Sequence, residues 1–375
     1  MLEPLGRASA RFGLSRATAV IAVGCALMIG CDDTEESAST PSGNLARALE
    51  ELGGGGEGTI GISWVDPQLV RELGGDAALM AEALGPNAGS VVDAAARLQA
   101  RFGLDPLAAS RMVSIGGSYS FGLRLEGVDG RRLASRLLAE GGRRRGSGDY
   151  ARIEIGEYGV VPDALRDVGV RGLGAFDALG PRLAAMAMSD RALASLLGES
   201  ERLLDEALYR AAVRCLGDVA AARMVPDKLL VSTELGVELV AVGIEAEREV
   251  LCTAGGTPER AAEVANAFRT GLDPGSHDPI TDEPIDRSVA AVEVEANEYE
   301  GIQTVRAELT LQPAEARGYV FGALERASVV GWINGAPSTF QRTSRHDSRD
   351  ASAGHPPLLR ERLTSSAVES LVSSP

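Results

Sequence analysis

An α+β fold, arranged as two sandwich-like blocks with helices on one face of largely antiparallel sheets, is what this 375-residue chain predicts. Three observations carry the prediction. Ser288 to Ala296 and Ile302 to Leu311 alternate with period two, Val292 and Val294 on one face and Glu293 and Glu295 on the other, as a half-exposed antiparallel hairpin does. Helical segments announce themselves by capping residues and by apolar positions three and four apart. Runs of strands are mixed with pairs of helices, which favours helices laid on one face of an antiparallel sheet.

Taken in order, Leu45 to Leu52 reads as a short helix, followed by a glycine-rich turn and a strand at Thr59 to Val65. Val91, Ala95, Leu98 and Phe102 recur at helical spacing, with Ser90 and Asp93 placed as a capping box. Asp105 and Pro106 start a further helix to Val113. A strand at Ser118 to Leu125, a helix at Arg131 to Glu140 and a strand at Tyr150 to Glu157 complete the first block, residues 44–158. Residues 159–181, with five glycines, form a linker holding one strand.

The second block, residues 182–335, opens with the apolar strand Leu183 to Met188. Asp190 caps a helix, and Glu201 to Leu216 forms a longer one that ends at Gly217. Strands follow at Val219 to Val225, Val237 to Ala246 and Glu249 to Thr253. A helix at Pro258 to Thr270 precedes the alternating hairpin, and a last helix spans Ala314 to Trp332. The two blocks share one pattern: strand, glycine, then an Arg- and Ala-rich helix occurs at Gly122 to Gly141 and again at Val250 to Gly271. Composition bias in an Ala/Arg/Gly-rich chain produces the same match. After residue 335 the sequence is polar, Ser- and Arg-rich and without apolar periodicity, the signature of a disordered tail at 336–375.

The N-terminus carries Arg7, Arg11 and Arg16, then a charge-free apolar run from Ala17 to Gly30, then Cys31. Fourteen apolar residues are too few to span a bilayer. Met28, Ile29, Gly30 and Cys31 resemble the lipobox of bacterial extracytoplasmic lipoproteins. That resemblance implies removal of residues 1–30, diacylglycerol on the sulfur of Cys31, and a membrane-anchored protein facing away from the cytoplasm. Cleavage at the alternative, Cys25, would leave the apolar residues Ala26 to Ile29 on the mature end. Residues 31–43 are acidic, rich in Ser and Thr, and read as a solvated tether.

Losing Glu3 and three arginines with the signal takes the formal charge from −16 to −18. Such a surface repels nucleic acid. Apart from Cys25 and Cys31 there are two cysteines, Cys215 and Cys252, read as one disulfide in an oxidising compartment. The competing reading is two small buried thiols that never meet.

Few side chains suit catalysis. The only lysine is Lys228, in Val-Pro-Asp-Lys-Leu, so there is neither a phosphate-cradling P-loop nor a Ser-x-x-Lys acylase. His346 and His355 lie in the tail, leaving His277 as the only imidazole of the body. Gly53, Gly55 and Gly58 spell G-x-G-x-x-G, but a helix precedes them and a strand follows, the reverse of a dinucleotide site. Arg143, Arg144 and Arg145 read as a solvated turn. Trp64 and Trp332 read as core aromatics.

Asp273 to Asp286 carries five carboxylates. As a metal site it would hold Ca²⁺ through Asp278, Asp282, Glu283 and Asp286; as a plain loop it is solvated acid between a helix and a hairpin. The function expected is a non-catalytic envelope module that binds a partner protein or scaffolds a complex. The alternative is a carrier of a small apolar or lipid ligand, and behind both stands a hydrolase working through carboxylates alone.

Overall fold

Strands that carry apolar residues on both sides need cover on both sides, and the centre of this chain is built from such strands. The computed structural model describes residues 43–54, 61–117, 120–146, 150–156, 160–171, 174–230, 235–246, 248–312 and 317–335, all within the unit Thr40–Pro375. The signal segment, Cys31, the tether up to residue 42 and the tail 336–375 lie outside the described residues.

In chain order, α1 (Asn44–Glu50) precedes β1 (Gly61–Val65). Then come α2 (Pro67–Glu72), α3 (Ala77–Asp93), α4 (Ala95–Phe102), β2 (Arg111–Gly117), β3 (Ser120–Glu126) and α5 (Arg131–Ala139). β4 (Arg143–Arg145), β5 (Ala151–Glu154), α6 (Asp163–Arg166), β6 (Phe176–Leu179) and β7 (Leu183–Ala187) follow. α7 (Asp190–Leu196) and α8 (Ala207–Leu216) lead to β8 (Ala221–Pro226), β9 (Leu239–Ile244), β10 (Arg248–Ala254) and α9 (Pro258–Gly271). The chain continues through β11 (Val289–Tyr299), β12 (Ile302–Leu311), α10 (Tyr319–Glu325) and α11 (Ser328–Asn334).

The α+β fold is as expected, and its strands form one antiparallel sheet of 12, ordered β11-β12-β10-β9-β8-β1-β2-β3-β7-β6-β5-β4. Helices cover both faces of it rather than one. Met80, Leu98, Leu133, Phe268 and Phe321, from α3, α4, α5, α9 and α10, pack on one face against Val65, Met112 and Val242. Leu49, Leu193 and Val213, from α1, α7 and α8, pack on the other against Trp64, Val113 and Ala241. Each such side chain contributes roughly 1.5–3 kcal/mol when fully buried. The reason for two cores is visible in β9, all six of whose residues are buried.

Blocks 44–158 and 182–335 share this sheet. β7, from the start of the second block, pairs with β3 of the first, and β1 pairs antiparallel with β8 at the centre. Pairing β1 with β8 removes two edges that separate sheets would leave open. Outward from that pair, both directions read alike. β1-β2-β3 is followed by α5 and a strand returned beside β3; β8-β9-β10 is followed by α9 and a strand returned beside β10. The similar segments at residues 122–141 and 250–271 are β3 with α5 and β10 with α9, so they hold equivalent places, and both helices cover the same face.

Local chemistry explains the ends. Asp66 and Thr257 accept from backbone amides at the starts of α2 and α9, each with proline at the first helical position. The hairpin of β11 and β12 turns through Glu300 and Gly301, both at positive φ, the geometry a two-residue connection demands. The outer strands are protected by charge. Arg143, Arg144 and Arg145 form the exposed edge strand β4 instead of a turn, and β11 presents Glu293, Glu295 and Glu298.

Five further expectations change. The helix expected from Glu201 begins only at Ala207, after a separate single turn at Leu203–Asp205. Residues 111–113 are not helical: after a single turn at Pro106–Ala108 the chain enters β2, whose Met112 and Val113 face opposite cores. Ser90 lies inside α3, not at its start; its hydroxyl donates to the Asn87 carbonyl and accepts from the Arg171 amide. Ser189, not Asp190, caps α7. The single terminal helix is two, broken at Ala327, whose φ is 61°.

Candidate functional site

Three polar side chains stand in one row across the middle of the sheet. Ser63 on β1 lies opposite Ser114 on β2 and, on its other side, opposite Arg223 on β8. With strands about 4.8 Å apart, the row spans about 10 Å. All three are two residues from members of the core under α3, namely Val65, Met112 and Ala221, and strand periodicity therefore points them to that face. Ser63 and Ser114 are 6% and 8% exposed, and neither hydroxyl has a hydrogen-bond partner among the described residues.

The row lines a cleft because α3 is broken above it. Gly85 has φ 78° and ψ 174°, outside helical space, and Pro86 restarts the helix. A Cβ on Gly85 would come within 3.2 Å of the Arg223 guanidinium carbon. Glycine is thus required twice, by its dihedral angles and by the side chain beneath it. The break leaves a cleft of about 440 Å³ between α3 and β2, β1 and β8. Leu84, Phe121, Val225 and Leu229 supply apolar wall, and Asn87 and Lys228 add polar groups.

The charges are uneven. Arg223 donates through Nη1 to Glu325 at 3.0 Å. Burial pushes the Glu82 carboxyl up, as does the neighbouring Glu325, while Arg326 and Arg223 pull it down. Lys228 is exposed and makes no ion pair among the described residues. No carboxylate lines the cleft among the described residues.

The residues expected to carry chemistry are placed elsewhere. Cys215 and Cys252 form a disulfide with Cα atoms 6.2 Å apart, tying α8 to β10. The four proposed calcium ligands are not brought together: among the described residues no group of three or more His, Cys, Asp or Glu is placed to hold a metal ion. Asp278 is buried and structural. Its Oδ1 accepts from the amides of Ile280 and Thr281 and from the Ser328 hydroxyl, which closes the loop onto α11. Asp282, Glu283 and Asp286 are exposed. His277 forms an isolated bridge to Pro284 across the same loop. Gly55 and Gly58 lie outside the described residues. Trp64 and Trp332 are core residues, at 1% and 2% exposure. No described helix is long and apolar enough to cross a membrane.

Sequence reasoning passed over Ser63, Ser114 and Arg223. No spacing rule links them, because they lie on three strands and meet only through sheet register. Two signals were nevertheless present: the Gly85-Pro86-Asn87 interruption in a helical pattern, and a lysine that occurs once. Comparison of the chain with protein-family models, curated proteins and solved structures finds no match.

Proposed function

We propose that this chain is a lipid-anchored protein of the cell envelope, held to a membrane through Cys31, whose body is a non-catalytic carrier of a small ligand. The observation that carries the carrier reading is the cleft at the centre of the sheet. Its volume falls in the range of small-molecule sites, and it combines apolar walls with a few convergent polar groups. Of the two binding roles expected from the sequence, a cleft of this kind favours a ligand over a scaffold. A protein partner has one feature in its favour, the long outer strand β11, which would accept an added strand. Against catalysis stands the composition of the cleft, which among the described residues offers hydroxyls and cations without a carboxylate or imidazole to activate them.

Mass spectrometry of residues 32–375 secreted to a periplasm, compared under native and denaturing conditions, tests the carrier. A reproducible adduct seen only under native conditions supports it, and a bare native mass favours the partner-binding role. Fractionation tests the anchor: the wild-type chain is expected with membranes, and Cys31→Ala without acyl mass. Equal acylation of both would move the anchor away from Cys31.

A further inference from the structure

We infer that the cleft selects a ligand with a single anionic oxygen head and an apolar body, of the class of a medium-chain carboxylate; this deepens the carrier reading and rests on it. The first support is charge. The chain as a whole is strongly acidic, at −16, yet the cleft has two cations and no lining carboxylate among the described residues. Glu325 answers Arg223, which leaves Lys228 as the cation of the cleft without a partner among the described residues, so one negative charge is what the site accepts.

The second support is the floor. Ser63 and Ser114 are more than nine-tenths buried, adjacent across the β1–β2 pair, and lack partners for their hydroxyls among the described residues. Both hydroxyls open into the cleft, where a single ligand oxygen can accept from the two of them. Helix polarity adds to this: the segment restarting at Pro86 directs its positive end to the same cleft. The third support is the remaining wall, in which Leu84, Phe121, Val225 and Leu229 offer nothing to a second polar group. The head therefore sits by Ser63, Ser114 and Lys228, and the body lies along the apolar side.

The test is calorimetric titration of the mature chain, residues 32–375, with decanoate and with its neutral counterpart decanol. Decanoate is expected to bind one to one, at least tenfold more tightly than decanol. Lys228→Met is expected to lower decanoate affinity about tenfold and leave decanol unchanged, and Lys228→Arg to restore it. Ser63→Ala with Ser114→Ala should act in the same direction. Lys228 is exposed, so its variants keep the fold, which the unfolding midpoint verifies. Equal binding of decanoate and decanol, or an unchanged decanoate affinity in Lys228→Met, overturns the anionic head while the carrier stands. Binding of neither probe overturns both.

Discussion

Glu249, at the start of β10, accepts hydrogen bonds from the backbone amides of Gly318 and Val320, so a carboxylate on the sheet caps α10 from a distant part of the chain. α10 has no capping side chain of its own, since its N-cap is Gly318. The contact fixes the helix over the sheet and simultaneously buries the carboxylate.

Burial pushes the Glu249 carboxyl up to about 7, and the amides of Gly318, Val320 and Tyr319 oppose that rise, as does Arg317. The unfolded value is about 4.3. The folded state therefore keeps a proton that the unfolded state has released, and stability falls as pH rises from about 4.3 through about 7. The loss is on the order of 4 kcal/mol, at about 1.4 kcal/mol per unit. Urea midpoints at pH 5 and pH 8 should differ in the wild type and converge in Glu249→Gln. A pH dependence that survives the substitution unchanged would assign it elsewhere.

Asp177 on β6 is fully buried, and neither carboxyl oxygen has a partner among the described residues. Burial holds its pKa well above the usual carboxylate range. It shares the sheet row of Ser114, through Leu123 and Met186, at three strands' distance. Because the proton is again bound more tightly by the folded state, its effect has the same sign as that of Glu249, beginning near pH 4. Asp177→Val removes an unsatisfied polar group and should stabilise by about 1–3 kcal/mol at pH 8, and by less at pH 4. Destabilisation at pH 8 would show that the carboxylate is needed.

The disulfide between Cys215 and Cys252 closes a loop with a sequence separation of 37. Chain entropy alone assigns it about 4 kcal/mol. Denaturation with and without reductant, and of the double alanine variant, should reveal a loss of that order. Denatured protein should weigh two hydrogens less than the reduced form. A full-mass chain with two reactive thiols after unfolding would contradict the bond.

Gly85→Ala forces a side chain into backbone space reserved for glycine and against the Arg223 guanidinium. A cost of about 1–3 kcal/mol follows from the dihedral angles. Gly74→Ala, also at positive φ but with open space around it, serves as the comparison. Only the Gly85 variant should alter ligand affinity. Equal effects of both on the cleft would sink its role.

Patterns confined to one stretch of chain were readable in advance. The β11–β12 hairpin declared itself because one face is wet and one is dry, and α9 because Thr257 and Pro258 mark its start within a few residues. The cysteine pair was readable because only two thiols remained for an oxidising compartment. β2 was missed because a strand buried on both faces lacks alternation, and the N-terminal part of α3 because a glycine and a proline interrupt it. Composition also bounded the chemistry, since one lysine and one body imidazole leave little for catalysis.

The tertiary structure alone decided that the two blocks share a sheet and that Ser63, Ser114 and Arg223 form a row. Hydrogen-bond register between strands from distant parts of the chain places those three together, and the break in α3 opens a cleft onto them. Local sequence carries the period of a strand but not the identity of its neighbour; that is set by which pairing closes the edges and buries both apolar faces together.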